Sequence, residues 1–107
     1  MDGQLFFQLQ EPCRNEIVAV GVSSSVIAES RNVVNPRKVL IVRNTSDDAT
    51  KVITVHFGQG LAVANAGIVL KQNESFSDCS ETGYESHQGV VTAISAVAAA
   101  QLSIMER

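Results

Sequence analysis

Hydrophobic positions along this chain recur with a period of two. In "KVITVHF" (51–57), Ile53, Val55 and Phe57 fall on one side and Val52, Thr54 and His56 on the other. That alternation belongs to a half-buried strand. "RKVLIVRN" (37–44) is an unbroken β-branched run flanked by charge, which suits a strand buried on both faces. "NTSDDAT" between them is a cluster of turn formers, so residues 37–57 are expected to form a hairpin. "QLFFQLQ" is a further strand, ended by Pro12. "EIVAVGV" and "SSVIAES" are two short strands, or one long strand bent at Gly21. "AGIVLKQ" follows a Gly/Ala/Asn loop, and "ESFSD" fits a short edge strand. "AQLSIMER" alternates again, with Leu102 and Ile104 opposite Gln101 and Ser103.

About eight short strands with turn signals every eight to twelve residues predict an all-β fold, a small β-sandwich or jelly-roll-like barrel. Residues 1–107 are expected to form a single β domain, with 1–15 as an N-terminal arm available for subunit or lattice contact. The Ala-rich "AISAVAAAQLSIMER" competes as a helix, because Ala is the best helix former. Val90, Val91, Thr92 and Ile94 favour the pleat, so two strands are expected there.

Composition narrows the function. The chain has 107 residues, 45% apolar, with 5% aromatics and no Trp. Stacking platforms for bases are therefore not expected. Net charge is −3 and the isoelectric point is about 5.2, without the basic footprint of a nucleic-acid binder. The longest uncharged stretch, 86–105, contains His87, Gln88 and several Ser and Thr, so no membrane span is expected. "MDGQLFFQLQEP" has an acid before its apolar core and no basic region, unlike a secretion signal. Cys13 and Cys79 match no zinc or redox spacing. They are expected as free thiols in a reducing cytoplasm, unless the fold brings them together.

Candidate chemistry is sparse. "FGQGLAVANAG" follows a strand and contains G-x-G, but no helix is expected after it, so a flexible loop is favoured over a phosphate cradle. His56 lies on the polar face of its strand, and His87 sits in "YESHQG". A metal site needs three or four converging ligands. Asp47 and Asp48 fall in a turn, where Asp bonds its own backbone. No catalytic, cofactor-binding or metal residue is expected, and the chain is not expected to be an enzyme. Arg31, Arg37, Lys38 and Arg43 gather in one stretch, and Glu74, Asp78, Glu81 and Glu85 in another. Such patches can steer assembly, although charge alone favours solvated ends. The polar stretch 72–89 is expected as a surface excursion.

The order of these signals carries a resemblance. "VSSSVIAES" precedes an Asn-Pro-Arg-Lys turn; then come "VLIVRN", a strand ending "HFG", "GIVL", a polar stretch and a closing "AISA…LSIME". Over about residues 20–107 this resembles the small β-structured virion proteins of tailed bacteriophages, the head-decoration (cement) proteins and related fibre or collar modules. The resemblance implies a non-catalytic protein, made in the host cytoplasm and carried on the capsid exterior. Its partners would be the major capsid protein and further copies of itself, as a dimer or trimer. The family supplies no catalytic residues to transfer. In "LFFQL", Leu5, Phe6, Phe7 and Leu9 either meet another chain or form a strand buried on both sides. Arg37, Lys38 and Arg43 are candidates for contact with a neighbour, or are simply solvated. The alternative assignment is a fibre or collar module, or a receptor- or carbohydrate-binding β-sandwich.

Overall fold

A computed structural model of the chain describes residues 13–81 and 83–107. The described residues form eight strands: β1 (Arg14–Val20), β2 (Ser25–Ala28), β3 (Val39–Asn44), β4 (Ile53–Phe57), β5 (Ile68–Leu70), β6 (Ser75–Cys79), β7 (Val91–Ser95) and β8 (Ala100–Glu106). They make two four-stranded antiparallel sheets, β1-β8-β3-β6 and β2-β7-β4-β5. The fold is thus an all-β sandwich, and the C-terminal third is two strands rather than a helix. Val91, Thr92 and Ile94 prefer the pleat, and cross-strand packing outweighs the helix propensity of the alanines.

The pairing has an order. β1 pairs with β8, β2 with β7, β3 with β6 and β4 with β5, so the labels in each pair sum to nine. One long ribbon, turned between β4 and β5, has rolled up on itself. Two further pairings, β3 with β8 and β4 with β7, stitch it into two sheets. This is the jelly-roll arrangement.

The topology corrects the expected hairpin at 37–57. β3 and β4 do not pair; they lie in different sheets, and residues 45–52 arch between them. The turn-forming residues set the reversal, but hydrophobic faces decide partners. Leu40 and Val42 face Ile53 and Val55 across the core instead of lying beside them. "EIVAVGV" and "SSVIAES" are likewise two strands of opposite sheets, parted at Gly21. "ESFSD" supplies the edge strand β6.

The core lies between the sheets. Val20, Leu40, Val42, Leu102 and Ile104 come from the first, and Ile27, Ile53, Val55, Leu70 and Val91 from the second, all 3% exposed or less. Each fully buried aliphatic side chain contributes about 1.5–3 kcal/mol. The alternation read in β8 holds, with Leu102 and Ile104 inward, Gln101 exposed and Ser103 half-buried; in β4 Ile53 and Val55 point in, but Thr54 on the other face is buried as well, so this strand is not the half-buried one expected. β3 is buried on one face only, since Val39 and Ile41 are half-buried on the outside of its sheet.

Candidate functional site

One end of the sandwich gathers the loops 29–38 and 80–90 around the finish of β8. The inward phase of β8 that buries Leu102 and Ile104 also buries Glu106, which is 4% exposed. Arg37, at 1% exposure the largest fully buried side chain, reaches it from loop 29–38. Its Nε donates to Glu106 Oε2 at 2.8 Å, Nη1 to the carbonyls of His87 (2.5 Å) and Gly89 (3.1 Å), and Nη2 to that of Glu29 (2.6 Å). Gln88 closes the ring, accepting from Arg37 N and donating to Arg37 O at 2.7 Å. Arg14 Nη1 donates to Glu106 Oε1 at 3.1 Å, and Arg31 Nε stands 3.6 Å from Oε2.

Three guanidiniums therefore share one buried carboxylate. Burial pushes the Glu106 carboxyl up, but hydrogen bonds from Arg37 and Arg14 and the fields of Arg37 and Arg31 outweigh it. Glu106 is held below the ordinary glutamate value. Chemically this is a latch: it joins β8, β1 and two loops through a carboxylate engaged on both of its oxygens. An open hollow of about 250 Å³ beside it is lined by Arg14, Val26, Ile27, Glu29, Arg31 and Glu106.

The latch fixes a turn. Asn32 Oδ1 accepts from the N–H groups of Val34 and Asn35, both at 3.0 Å, and Arg31 Nη1 donates to Asn35 O at 3.3 Å. Arg31 N donates to Gln88 O at 2.7 Å. At the tip stand Val33 and Val34, 96% and 88% exposed. Two β-branched apolar residues fully in water on a braced turn are unusual, because turn tips ordinarily carry Gly, Asn, Asp or Pro.

A second cluster closes the opposite edge of the sandwich. Phe57 meets Phe76 and His87 edge-on, with centroids 5.7 and 5.4 Å apart. Asp78, 5% exposed, accepts from Tyr84 Oη through Oδ1 and from His87 N through Oδ2 at 2.8 Å. The hydrogen bond to Asp78, followed by desolvation, raises the Tyr84 phenol above its ordinary value. The hollow here, about 220 Å³, is lined by Phe57, Ile68, Phe76, Asp78, Tyr84 and His87. Both carboxylate oxygens are engaged, which leaves Asp78 as a strut. Among the described residues no group of His, Cys, Asp and Glu is arranged to hold a metal ion.

The residues singled out in the sequence part company. Leu5, Phe6, Phe7 and Leu9 lie outside the described residues. Arg37, expected at a strand end facing solvent or a neighbour, is corrected to the interior: Glu106 draws it in, so it presents no charge to a partner. Lys38 is exposed just before β3, between the ends of its two neighbouring strands, and its carbonyl accepts from Ser80 N at 2.7 Å. Arg43 stands exposed on the outer face of the first sheet. The two expected charge patches lose members: Arg37 and Asp78 are buried and Arg31 leans on Glu106, while Lys38, Arg43, Glu74, Glu81 and Glu85 stay exposed. Residues 72–89 are also not a simple excursion: they contain β6, and Asp78 and Ser86 are buried. His56 holds its outward position, with Nε2 at 3.1 Å from Gln59 O.

No protein family, characterised protein or solved structure matches this chain.

Proposed function

We propose that this chain is a non-enzymatic virion protein of a tailed bacteriophage, a decoration (cement) protein that docks on the outer surface of the major capsid lattice. The observation that carries this is the tip of loop 29–38. Val33 and Val34 are almost wholly exposed, yet the turn beneath them is braced by Asn32 and anchored to a buried ion network. A rigid apolar knob loses little conformational entropy on docking, which suits a partner groove rather than a small-molecule substrate. The rolled-up strand order supports the assignment by analogy of fold, since jelly rolls recur in viral capsid and lectin domains. In this role the chain is made in the host cytoplasm, meets the major capsid protein on the capsid exterior and self-associates.

Heads assembled without the protein, incubated with the pure chain and sedimented, should take it up to a fixed stoichiometry. The pair Val33→Asp and Val34→Asp should reduce uptake by at least about tenfold with an unchanged thermal midpoint. Uptake that does not saturate, or that ignores both substitutions, removes the assignment. A receptor- or carbohydrate-binding module is the second candidate, favoured only by the aromatic hollow at Phe57, Phe76 and Tyr84. Its Asp78 is buried and already accepts one hydrogen bond on each oxygen, which disfavours it as a sugar contact.

A further inference from the structure

Arg31 is the least satisfied of the three guanidiniums around Glu106. Arg37 donates to Glu106 and three carbonyls, and Arg14 donates to Glu106, Glu16 and the carbonyl of Ile27. Arg31 Nη1 reaches Asn35 O at a long 3.3 Å, and its Nε stands 3.6 Å from Glu106 Oε2, outside hydrogen-bond distance. Its Nη2 donates to no described residue. The side chain is nonetheless only 21% exposed. A charge drawn that far out of water ordinarily has its hydrogens taken up by the protein. Most of this fork is instead left open.

Arg31 forms part of the wall of the open hollow of about 250 Å³, together with Arg14, Val26, Glu29 and Glu106. The charge there is unbalanced in the same sense. Arg14, Arg31 and Arg37 meet two bonded carboxylates, those of Glu106 and Glu16, and Glu16 bonds to Arg14 alone. Glu29 is the third acid of the neighbourhood. It is exposed, and its carboxylate accepts no hydrogen bond from a described residue. Solvent, not Arg31, holds that charge.

The chemistry of the occupant follows from the wall. The parallel N–H groups of a guanidinium match the two oxygens of a carboxylate in a charge-assisted, bidentate pair. Val26, half exposed, adds an apolar surface beside it. Pockets for drug-sized ligands run from about 300 to 1,000 Å³, so this smaller space takes a small group. We propose that the hollow binds a carboxylate on a short aliphatic stem, with the carboxylate on Arg31 and the stem against Val26. Glu29 opposes it by like-charge repulsion across the same hollow. Two sources share this chemistry, a free small acid and the side chain of an acidic residue on a docked protein. The site does not depend on the preceding assignment: heads that ignore the chain leave it standing, and its failure leaves the capsid role standing.

Titration of the full chain with sodium butyrate at constant ionic strength, followed by two-dimensional NMR, tests it, with sodium chloride as the control. Butyrate should give saturable shifts at Arg31 Nε–H and at the amides of Val26 and Ala28, and chloride should not. Butyrate should bind at least about threefold more tightly than acetate, because its extra methylenes lie against Val26. Arg31→Gln should abolish saturation, and Arg31→Lys, which keeps the charge but not the fork, should weaken binding several-fold. Glu29→Gln should tighten binding by about threefold. That change touches neither Glu106 nor the core, so it decides the matter even if the Arg31 variants unfold. N-acetylglutamate amide identifies the source: tighter than butyrate, it points to a protein side chain, and weaker, to a free acid. Shifts that chloride reproduces, that fail to saturate or that persist in Arg31→Gln overturn the proposal, as does a Glu29→Gln variant that binds no better.

Discussion

Burying an arginine and a glutamate between two small sheets takes both out of water, and the desolvation is offset only if nearly every polar hydrogen finds an acceptor. Arg37 meets that condition through Glu106 and three carbonyls. Breaking the pair from one side leaves the other charge stranded, so Arg37→Ala or Glu106→Gln should destabilise the fold by about 3–5 kcal/mol in urea unfolding. The latch also sets a pH response. Glu106 has its folded value depressed below 4.5, so its contribution is complete above that unfolded value. It is lost as pH falls through the lower folded value. Unfolding free energy followed from about pH 6 down to about pH 3 should therefore drop for the wild type, and Glu106→Gln should flatten much of that drop. The exposed acids Glu16, Asp47 and Asp48, also held low by their hydrogen bonds, supply a smaller remainder in the same direction. Part of this was legible in the sequence: the phase of "AQLSIMER" puts Glu106 in register with Leu102 and Ile104. Its partner was not legible, because Arg37 lies 69 residues away in a loop.

At the scale of the elements, two backbone positions carry the strain. Gly67 has φ +138°, and a Cβ there would stand 2.6 Å from Val55 O. The segment 58–67 approaches β4 so closely that only glycine fits. Gly67→Ala should cost about 2 kcal/mol or more and loosen the cover over the second sheet, read as faster amide exchange at Thr54 and Asn65. Ala99 holds φ +64° in the β7–β8 connection, a conformation disfavoured for a residue with a Cβ. Ala99→Gly should stabilise the protein by about 0.5–1 kcal/mol, measured as a raised thermal midpoint. Asn65 and Asn73, also left-handed, are ordinary occupants of such turns. Strand existence was readable here because a period of two marks a face. Strand partnership was not: "NTSDDAT" signals reversal equally well for a hairpin and for an arch between sheets.

At the scale of the whole molecule, topology separates what composition left open. Cys13 precedes β1 and Cys79 ends β6, at opposite edges of the first sheet, with β8 and β3 between them. Three strand spacings of about 4.8 Å put them roughly 14 Å apart, about twice the Cα limit for a disulfide. Both thiols are free and exposed. Mild oxidation should thus yield cross-linked dimers on a non-reducing gel and no intrachain bridge by mass spectrometry. A bridged monomer would contradict the strand order.

What the sequence determined by itself is local: alternation in "KVITVHF" and "AQLSIMER", β-branched runs, and turn formers at the reversals. Each of these acts over a few residues, so they fixed an all-β chain of about eight strands. The tertiary structure alone decided the rest. Which sheet receives each strand depends on burying one face of all eight at once, a condition no short segment carries. That condition drew Arg37 inside, turned Val33 and Val34 out, and laid 58–67 over the second sheet.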